Sequence, residues 1–323
     1  MRDRDLSTAI AEQLRTADAA SPLRITGACS KPWMAQTGAG LLPVAAHRGV
    51  VDYTPGELVI SVRAGTPLAE LEAVLAERGQ MLGAECPNFS SNSTIGGAVA
   101  LGWSGSRSGS AGPLRDFVLG LRMINGLGEI LHFGGRVMKN VAGFDVPRLL
   151  AGSVGRLGVI LDVSLKVLPL PEAELTLCRE LASEQEAGLQ IRKLQQRALP
   201  LSGAVYYAGK LYLRFSGRPR ALQQISIELP GEEIDNSFWQ ELTSLRLAFF
   251  SPAASGELHD CLGGSSWFHR DGCLWRRQGE AGAVNLRDGP GPAGGTLAAL
   301  QQRLHQAFDP RGLFNAPLQG SNP

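Results

Sequence analysis

Apolar residues recur with two periods along this chain, and the switching between them predicts its elements. Leu6, Ile10, Leu14 and Ala17 repeat at helical spacing, so residues 5–18 read as an amphipathic helix. Short β-type runs follow at 23–26, 41–46, 50–53 and 57–63, the last two split by Thr54-Pro55-Gly56. Thr66 before Pro67 predicts an N-cap with proline at the first helical position. Leu68, Leu71 and Leu75 line one face of that helix, and Gly79 closes it. Residues 93–102, Ser-Thr-Ile-Gly-Gly-Ala-Val-Ala-Leu-Gly, predict a second, apolar helix entered through two hydroxyls. A Gly/Ser loop at 103–115 leads to a hairpin over 116–124 and 129–133, turning at Asn125-Gly126-Leu127-Gly128. A short helix after Pro147, a glycine turn at 152–158 and a β-branched strand at 159–167 complete this unit, which Pro169 and Pro171 close.

The pattern changes beyond residue 171. A strand at 174–181, a polar-faced helix at 184–198, a hairpin at 203–215 and two short helices near 219–226 and 236–245 predict a smaller α+β unit. Residues 251–295 read as loop, and 296–308 as a final helix. The expected architecture is α+β, with units at 1–171 and 172–295 and a C-terminal segment at 296–323.

Composition narrows the function. At 323 residues and 44% hydrophobic the chain can bury a sizeable core, while a net charge of +1 offers no basic field for nucleic acid. Forty glycines point to tight turns and close backbone approaches. No apolar run approaches the roughly 18 residues of a membrane span, and the acidic N-terminus lacks a signal-peptide core. Cys29, Cys86, Cys178, Cys261 and Cys273 are scattered and without Cys-x-x-Cys spacing, which predicts reduced thiols in a cytoplasmic protein and no zinc or iron–sulfur framework. His259, His269 and His305 are too far apart for a histidine metal site. His269 and Asp271 lie near Trp267, although one such pair in a loop is ordinarily solvated.

Residues 93–97 carry the most chemistry. Gly96 and Gly97 remove two side chains where a ligand could approach the backbone, and the N–H groups at the helix start would face an anion. A small-residue helix packed tightly on a neighbour has the same sequence, and this stretch alone does not separate the two.

Two further glycine stretches coincide with it: the turn at 27–31 and the string Gly-Ser-Val-Gly-Arg-Leu-Gly-Val-Ile at 152–160. Their order and spacing resemble the FAD-binding domain of the vanillyl-alcohol oxidase and p-cresol methylhydroxylase (PCMH-type) family. The tail Phe308-Asp309-Pro310-Arg311-Gly312-Leu313-Phe314-Asn315 is similar to that family's closing Asp-Pro-x-Gly-x-Phe-Asn-Pro, with Ala316 in place of the last proline. Arg-Asp-Phe-Val-Leu-Gly at 115–120, and the strings at 133–135 and 141–143, resemble the glycolate oxidase branch of the family. The resemblance runs over 1–250, thins over 251–295 and returns at 296–315.

The resemblance implies two subdomains gripping an extended FAD, a smaller α+β cap domain facing the isoalloxazine, and a C-terminal segment returning to the FAD domain. On the matching positions, Gly27, Ala28, Cys29 and Ser30 would supply donors to the pyrophosphate, with Lys31 as a nearby cation. Ser93, Thr94, Ile95, Gly96 and Gly97 would approach the pyrophosphate and flavin. Gly105, Ser106 and Arg107 would close over the cofactor, and Val159 and Ile160 would bond the adenine or flavin edge through main chain. FAD is expected to be non-covalent: no histidine falls in the matching turns, and Cys29 reads as a small buried thiol. Lys139 is the one catalytic candidate, followed by Asn140 and Asp145, in a string that in the related catalytic subunit reads Lys-Asn-x-x-Gly-Tyr-Asp. Phe144 replaces the tyrosine here, and Lys139 reads equally well as a surface cation.

The implied function is an FAD-dependent oxidoreductase subunit of a glycolate oxidase or dehydrogenase complex, acting on glycolate or a D-lactate-like 2-hydroxy acid. The implied partners are a catalytic FAD subunit and an iron–sulfur subunit, and the implied location is cytoplasmic, peripheral to the inner membrane through those partners. A self-sufficient FAD-dependent 2-hydroxy-acid dehydrogenase and a non-catalytic scaffold subunit are the alternatives. Glycines kept at three turns count against a scaffold; the shortened stretch at 251–295 and Ala316 count for it.

Overall fold

The structure, a computed structural model, describes residues 3–18, 20–30, 40–88, 90–136, 143–207, 209–244, 259–260 and 295–314. Three apolar cores organise it. The first lies under a five-stranded antiparallel sheet of β3 (Val50–Thr54), β4 (Val59–Arg63), β8 (Val159–Lys166), β6 (Val118–Ile124) and β7 (Ile130–Gly134), in that spatial order. Ile60, Val62, Val163 and Leu165 from this sheet meet Leu68, Leu71 and Leu75 of α2 (Leu68–Ala76) and Ile95 and Val99 of α3 (Ile95–Leu101). Leucines recurring every three to four residues put α2's apolar stripe on the sheet, and Glu70 and Glu72 flank it.

The helix before this core starts later than its sequence suggests. Pro67, not Thr66, occupies the N-cap position of α2. Thr66 is fully buried, and its hydroxyl accepts from the Gly49 N–H at 3.0 Å and lies 3.3 Å from the Gly49 carbonyl. A buried hydroxyl must find partners, and those on Gly49 take it away from the cap.

The second core joins α1 (Ser7–Thr16), the parallel pair β1 (Leu23–Thr26) and β2 (Gly40–Pro43), and one end of the large sheet. Leu313 and Phe314 are buried in it, and the Leu23 N–H donates to the Leu313 carbonyl at 2.7 Å. These residues follow α9 (Gly295–Phe308), so the end of the described chain packs back on its beginning. Asp309 fixes the turn, its two oxygens accepting from the Leu313 and Phe314 N–H groups at 3.0 and 2.8 Å. Buried His47 pins the N-terminal segment: Nδ1 accepts from the Leu6 N–H at 2.9 Å, which places the ring proton on Nε2, 3.1 Å from Asp162.

The third core belongs to residues 173–244. A second antiparallel sheet, in the order β13 (Glu232–Ile234), β10 (Ala173–Glu180), β12 (Lys210–Gly217), β11 (Leu201–Tyr207) and β14 (His259–Asp260), packs Leu177, Leu213 and Phe215 against α6 (Glu184–Gln195) and α7 (Pro219–Glu228). The short strand at 259–260 falls where the sequence predicts only loop; its two residues add to the edge of β11. Helix α8 (Ser237–Ser244) contributes Trp239 and Phe238, the latter stacked on Tyr212 with centroids 3.8 Å apart.

Candidate functional site

Three loops gather around α3. Thr94 is its N-cap, the hydroxyl accepting from the Gly97 N–H at 3.2 Å, and Gly102 closes it at φ +69°. The two glycines of this helix do different work. A Cβ on Gly96 would lie 2.5 Å from the Ala64 Cβ and 2.8 Å from the Ala64 carbonyl, so Gly96 is there for close packing. A Cβ on Gly97 would meet only the Thr94 hydroxyl, at 3.2 Å, so its face is otherwise open. Gly96 follows the tightly packed reading of the pair, and Gly97 leaves its backbone face open.

One expectation for this helix fails. Its first N–H groups do not await an anion: Ile95 donates to the Thr66 carbonyl at 2.9 Å, Gly96 to the Ala64 carbonyl at 2.8 Å, and Gly97 to its own cap. The chain before α2 runs beside the helix start and satisfies donors that a solvent-facing terminus would leave free.

Residues 27–30 meet this end of the helix, since a Cβ on Gly27 would lie 2.8 Å from the Thr94 Oγ1. The N–H groups of Gly27, Ala28 and Cys29 donate to none of the described residues. Cys29 departs from the expected buried thiol: it is exposed, in the left-handed region at φ +51°. A turn that holds its residue in that conformation lifts the side chain off the core. Lys31 lies outside the described residues.

The 152–158 loop grips the other end of α3. Gly152 donates to the Val99 carbonyl at 3.0 Å and Val154 to that of Ala100 at 2.8 Å. Val154 sits at φ +55°, a conformation β-branched residues rarely adopt and one found where surrounding structure enforces it. The buried Ser153 Oγ has no partner, and the half-buried Arg156 guanidinium meets no acid or carbonyl among the described residues. Burial alone acts on that charge and draws its pKa down. Val159 and Ile160 follow in β8, beyond the last β4–β8 pair at Arg63 and Asp162.

Gly105, Ser106 and Arg107 follow α3, and here the side chains are committed to protein. Arg107 is buried, with Nε 3.3 Å from Glu85, Nη2 2.6 Å from Glu174 and Nη1 3.1 Å from the Ser216 hydroxyl. Ser106 donates to Glu85 at 3.0 Å. Burial pushes the Glu85 carboxyl up, but the charges of Arg214 and Arg107 and their hydrogen bonds pull it down to about 2 from the usual 4.5. The buried Ser108 Oγ and Asn88 Oδ1 nearby in the chain have no partner.

Lys139, Asn140, His269 and Asp271 lie outside the described residues, and of His259 only the backbone is described. Asp145 caps α5 (Val146–Leu150) through the Arg148 N–H, and Phe144 beside it is 89% exposed. Glu85, Ser153 and Arg156 were not singled out from sequence. Arg156 stood inside the glycine string, whereas nothing local marks Glu85, whose role depends on arginines 22 and 129 positions away.

The site suits a dinucleotide. Among the described residues, N–H groups at 27–29 without a partner, an open glycine face at 97, the unpartnered buried hydroxyls of Ser108 and Ser153 and the Arg156 cation without a counter-ion lie on α3 or on the loops next to it. Each is what an extended phosphate-bearing ligand would satisfy. Fold and site define a PCMH-type flavoprotein. The FAD binding domain family matches residues 7–134. A solved structure of alkyldihydroxyacetonephosphate synthase superposes with a TM-score of 0.60 at 16% identity, over 73% of this chain and 51% of that one, which shows the shared fold.

The particular family follows from a longer match. The chain is 41% identical over 342 aligned residues to the glycolate oxidase subunit GlcE of Escherichia coli (strain K12), spanning 98% of this chain and 97% of that one, and it belongs to that family of FAD-dependent oxidoreductase subunits. Glycolate oxidase subunit GlcD of Bacillus subtilis (strain 168) is 31% identical over 44% of this chain and 30% of its own. A D-lactate dehydrogenase of Anaerostipes hadrus is 30% identical over 43% of this chain and 29% of its own.

Proposed function

We propose that this chain is the FAD-binding subunit of a glycolate-oxidising complex. The observation that carries this is the convergence of three loops on α3, in a chain similar along its length to a glycolate oxidase subunit. The N–H groups of Gly27, Ala28 and Cys29 would hold the pyrophosphate, with Lys31 and Arg156 as counter-charges. Gly97 would let the cofactor pass close to the backbone of α3, beside Ser93, Thr94 and Ile95. Main chain at Gly105 and at Val159–Ile160, with the free hydroxyls of Ser108 and Ser153, would bond the rest. Residues 1–171 form the FAD domain on this reading, 172–295 the cap, and 296–323 the segment that closes the FAD domain.

FAD, held without a covalent bond, would supply a two-electron acceptor. The chain's own residues would orient it and exclude water. Substrate oxidation belongs to a second, catalytic flavoprotein subunit, with electrons passing to an iron–sulfur subunit. Oxidising a 2-hydroxy acid needs a cation for the carboxylate and a base for the hydroxyl proton, and the described site brings together no such pair with free valences. Lys139 remains the candidate cation. The complex would sit in the cytoplasm, held at the inner membrane by its partners; no helix among the described residues is long and apolar enough to cross a membrane.

The test is turnover of glycolate or D-lactate with a dye acceptor, by the purified chain and by the chain co-expressed with its two partners. The proposal expects turnover only from the assembly. Multiple turnovers by the isolated chain, lost on Lys139→Ala, would instead make it a self-sufficient dehydrogenase, and a chain that binds no flavin would make it a scaffold.

A further inference from the structure

Two buried arginines cross between the FAD-site loops and the 173–244 layer in opposite directions. Arg107 leaves the loop after α3 and reaches Glu174 on β10 at 2.6 Å and Ser216 on β12 at 3.1 Å. Arg214 leaves β12 and reaches Glu85 at 2.7 Å, with its Nη2 3.3 Å from the Ser106 hydroxyl. Arg214 also lies over the Trp239 ring, 4.5 Å from its centroid, and is 3% exposed. Glu85 is where the two crossings meet. One oxygen faces Arg214 and the Arg107 Nε; the other accepts from the Ser106 hydroxyl and the Arg107 N–H, both at 3.0 Å.

The local backbone is shaped around this carboxylate. Glu85 itself is in the left-handed region at φ +47°, a strained conformation for a residue with a side chain. The loop comes so close that a Cβ on Gly105 would lie 2.6 Å from the Glu85 carbonyl. Two cations and two carboxylates neutralise one another here, so removing one charge leaves another buried without its partner. Lifting the 173–244 layer takes Arg214 from Glu85 and Ser106; moving the loop takes Ser106 and Arg107 from Glu85. Both motions break the Arg107 bonds to Glu174 and Ser216 and the Arg214–Ser106 bond, and each strips Glu85 of a cation.

We propose that Glu85 is a positioning residue that couples docking of the 173–244 layer to the shape of the 104–108 loop, so that FAD binding and docking of this layer favour each other. The inference rests on the FAD site described above. Ser108, with an unpartnered buried hydroxyl, ends that loop, so the loop whose shape is set is one that offers a free polar group to a ligand.

The test uses the full chain, with FAD affinity from flavin fluorescence and hydrogen exchange of peptides from 201–217 and 237–244, with and without FAD. In the wild type, FAD slows exchange in both peptides. Glu85→Gln weakens FAD binding roughly 10- to 100-fold and abolishes that protection, as expected of a coupling between sites. Arg214→Met breaks the same link from the other side and leaves Glu85 with Arg107, so it reads the coupling if Glu85→Gln does not fold. The double variant loses no more affinity than the worse single one. Leu71→Ala, a core change away from the hub, lowers the melting temperature yet keeps the FAD-dependent protection. Variants at Glu85 and Arg214 that melt earlier but keep wild-type FAD affinity and protection overturn the inference. A wild type that takes up no FAD overturns the site reading beneath it.

Discussion

Gly96 and Gly97 are adjacent and chemically identical, yet alanine at each should fail in a different assay. A methyl at Gly96 lands 2.5 Å from the Ala64 Cβ and 2.8 Å from the Ala64 carbonyl, contacts that only a shift of α3 or of the chain at Ala64 can relieve. Overpacking of this kind costs about 1–3 kcal/mol, partly offset by the roughly 1 kcal/mol that alanine gains over glycine inside a helix. Gly96→Ala should therefore melt a few degrees lower. At Gly97 the only close atom is the Thr94 Oγ1 at 3.2 Å, so the helix gain is not cancelled and the apo-protein melts at or slightly above the wild-type temperature. The same methyl occupies the face on which the proposed site places the cofactor, and a clash of about 1–3 kcal/mol there corresponds to a roughly 5- to 150-fold loss of FAD affinity. Gly97→Leu should abolish binding. Differential scanning fluorimetry of apo-protein and flavin-fluorescence titration read the two effects separately. Wild-type FAD affinity in Gly97→Leu would refute the placement of the cofactor, and an unchanged melting temperature in Gly96→Ala would refute the packing argument.

Acid should act through Glu85. Its carboxyl lies lower in the folded chain, at about 2, than its usual 4.5, so its contribution is complete above about pH 5 and is lost as pH falls toward 2; the fall corresponds to roughly 3 kcal/mol. Hydrogen bonding from Arg63 holds Asp3 low as well, so it acts in the same direction. Denaturant midpoints between pH 6 and pH 3 should drop more for the wild type than for Glu85→Gln, and equal slopes would contradict this. Asp309→Ala leaves the buried Leu313 and Phe314 N–H groups without an acceptor, at a cost of about 2–4 kcal/mol; thermal melts should show a drop of several degrees, about half of it recovered in Asp309→Asn. Arg156→Ala should weaken FAD binding about tenfold, flatten its salt dependence and leave riboflavin binding unchanged, as isothermal titration can measure.

Local rules carried most of the fold. The strand at 23–26, the hairpin across Asn125 and the hydroxyl at the start of α3 stand where their residue types predict, because each depends on neighbours within a few positions. Two of the errors share a physical origin, a distant segment claiming a local group, and the third is a local backbone conformation. Gly49 took the Thr66 hydroxyl, Ala64 and Thr66 took the first donors of α3, and a left-handed turn carried Cys29 to the surface. The glycine strings pointed to the loops around α3 but did not say which glycine packs and which stays open. Glu85 was invisible because its partners come from different units of the chain.

The central claim is that these loops hold one FAD without a covalent bond, and flavin content measures it most directly. The purified full chain, saturated with FAD and freed of excess, should show flavin absorption near 450 nm at about one FAD per chain, and acid precipitation should leave all of the flavin in the supernatant as FAD. A folded chain that retains no flavin after reconstitution, or one whose flavin stays with the precipitate, would contradict it.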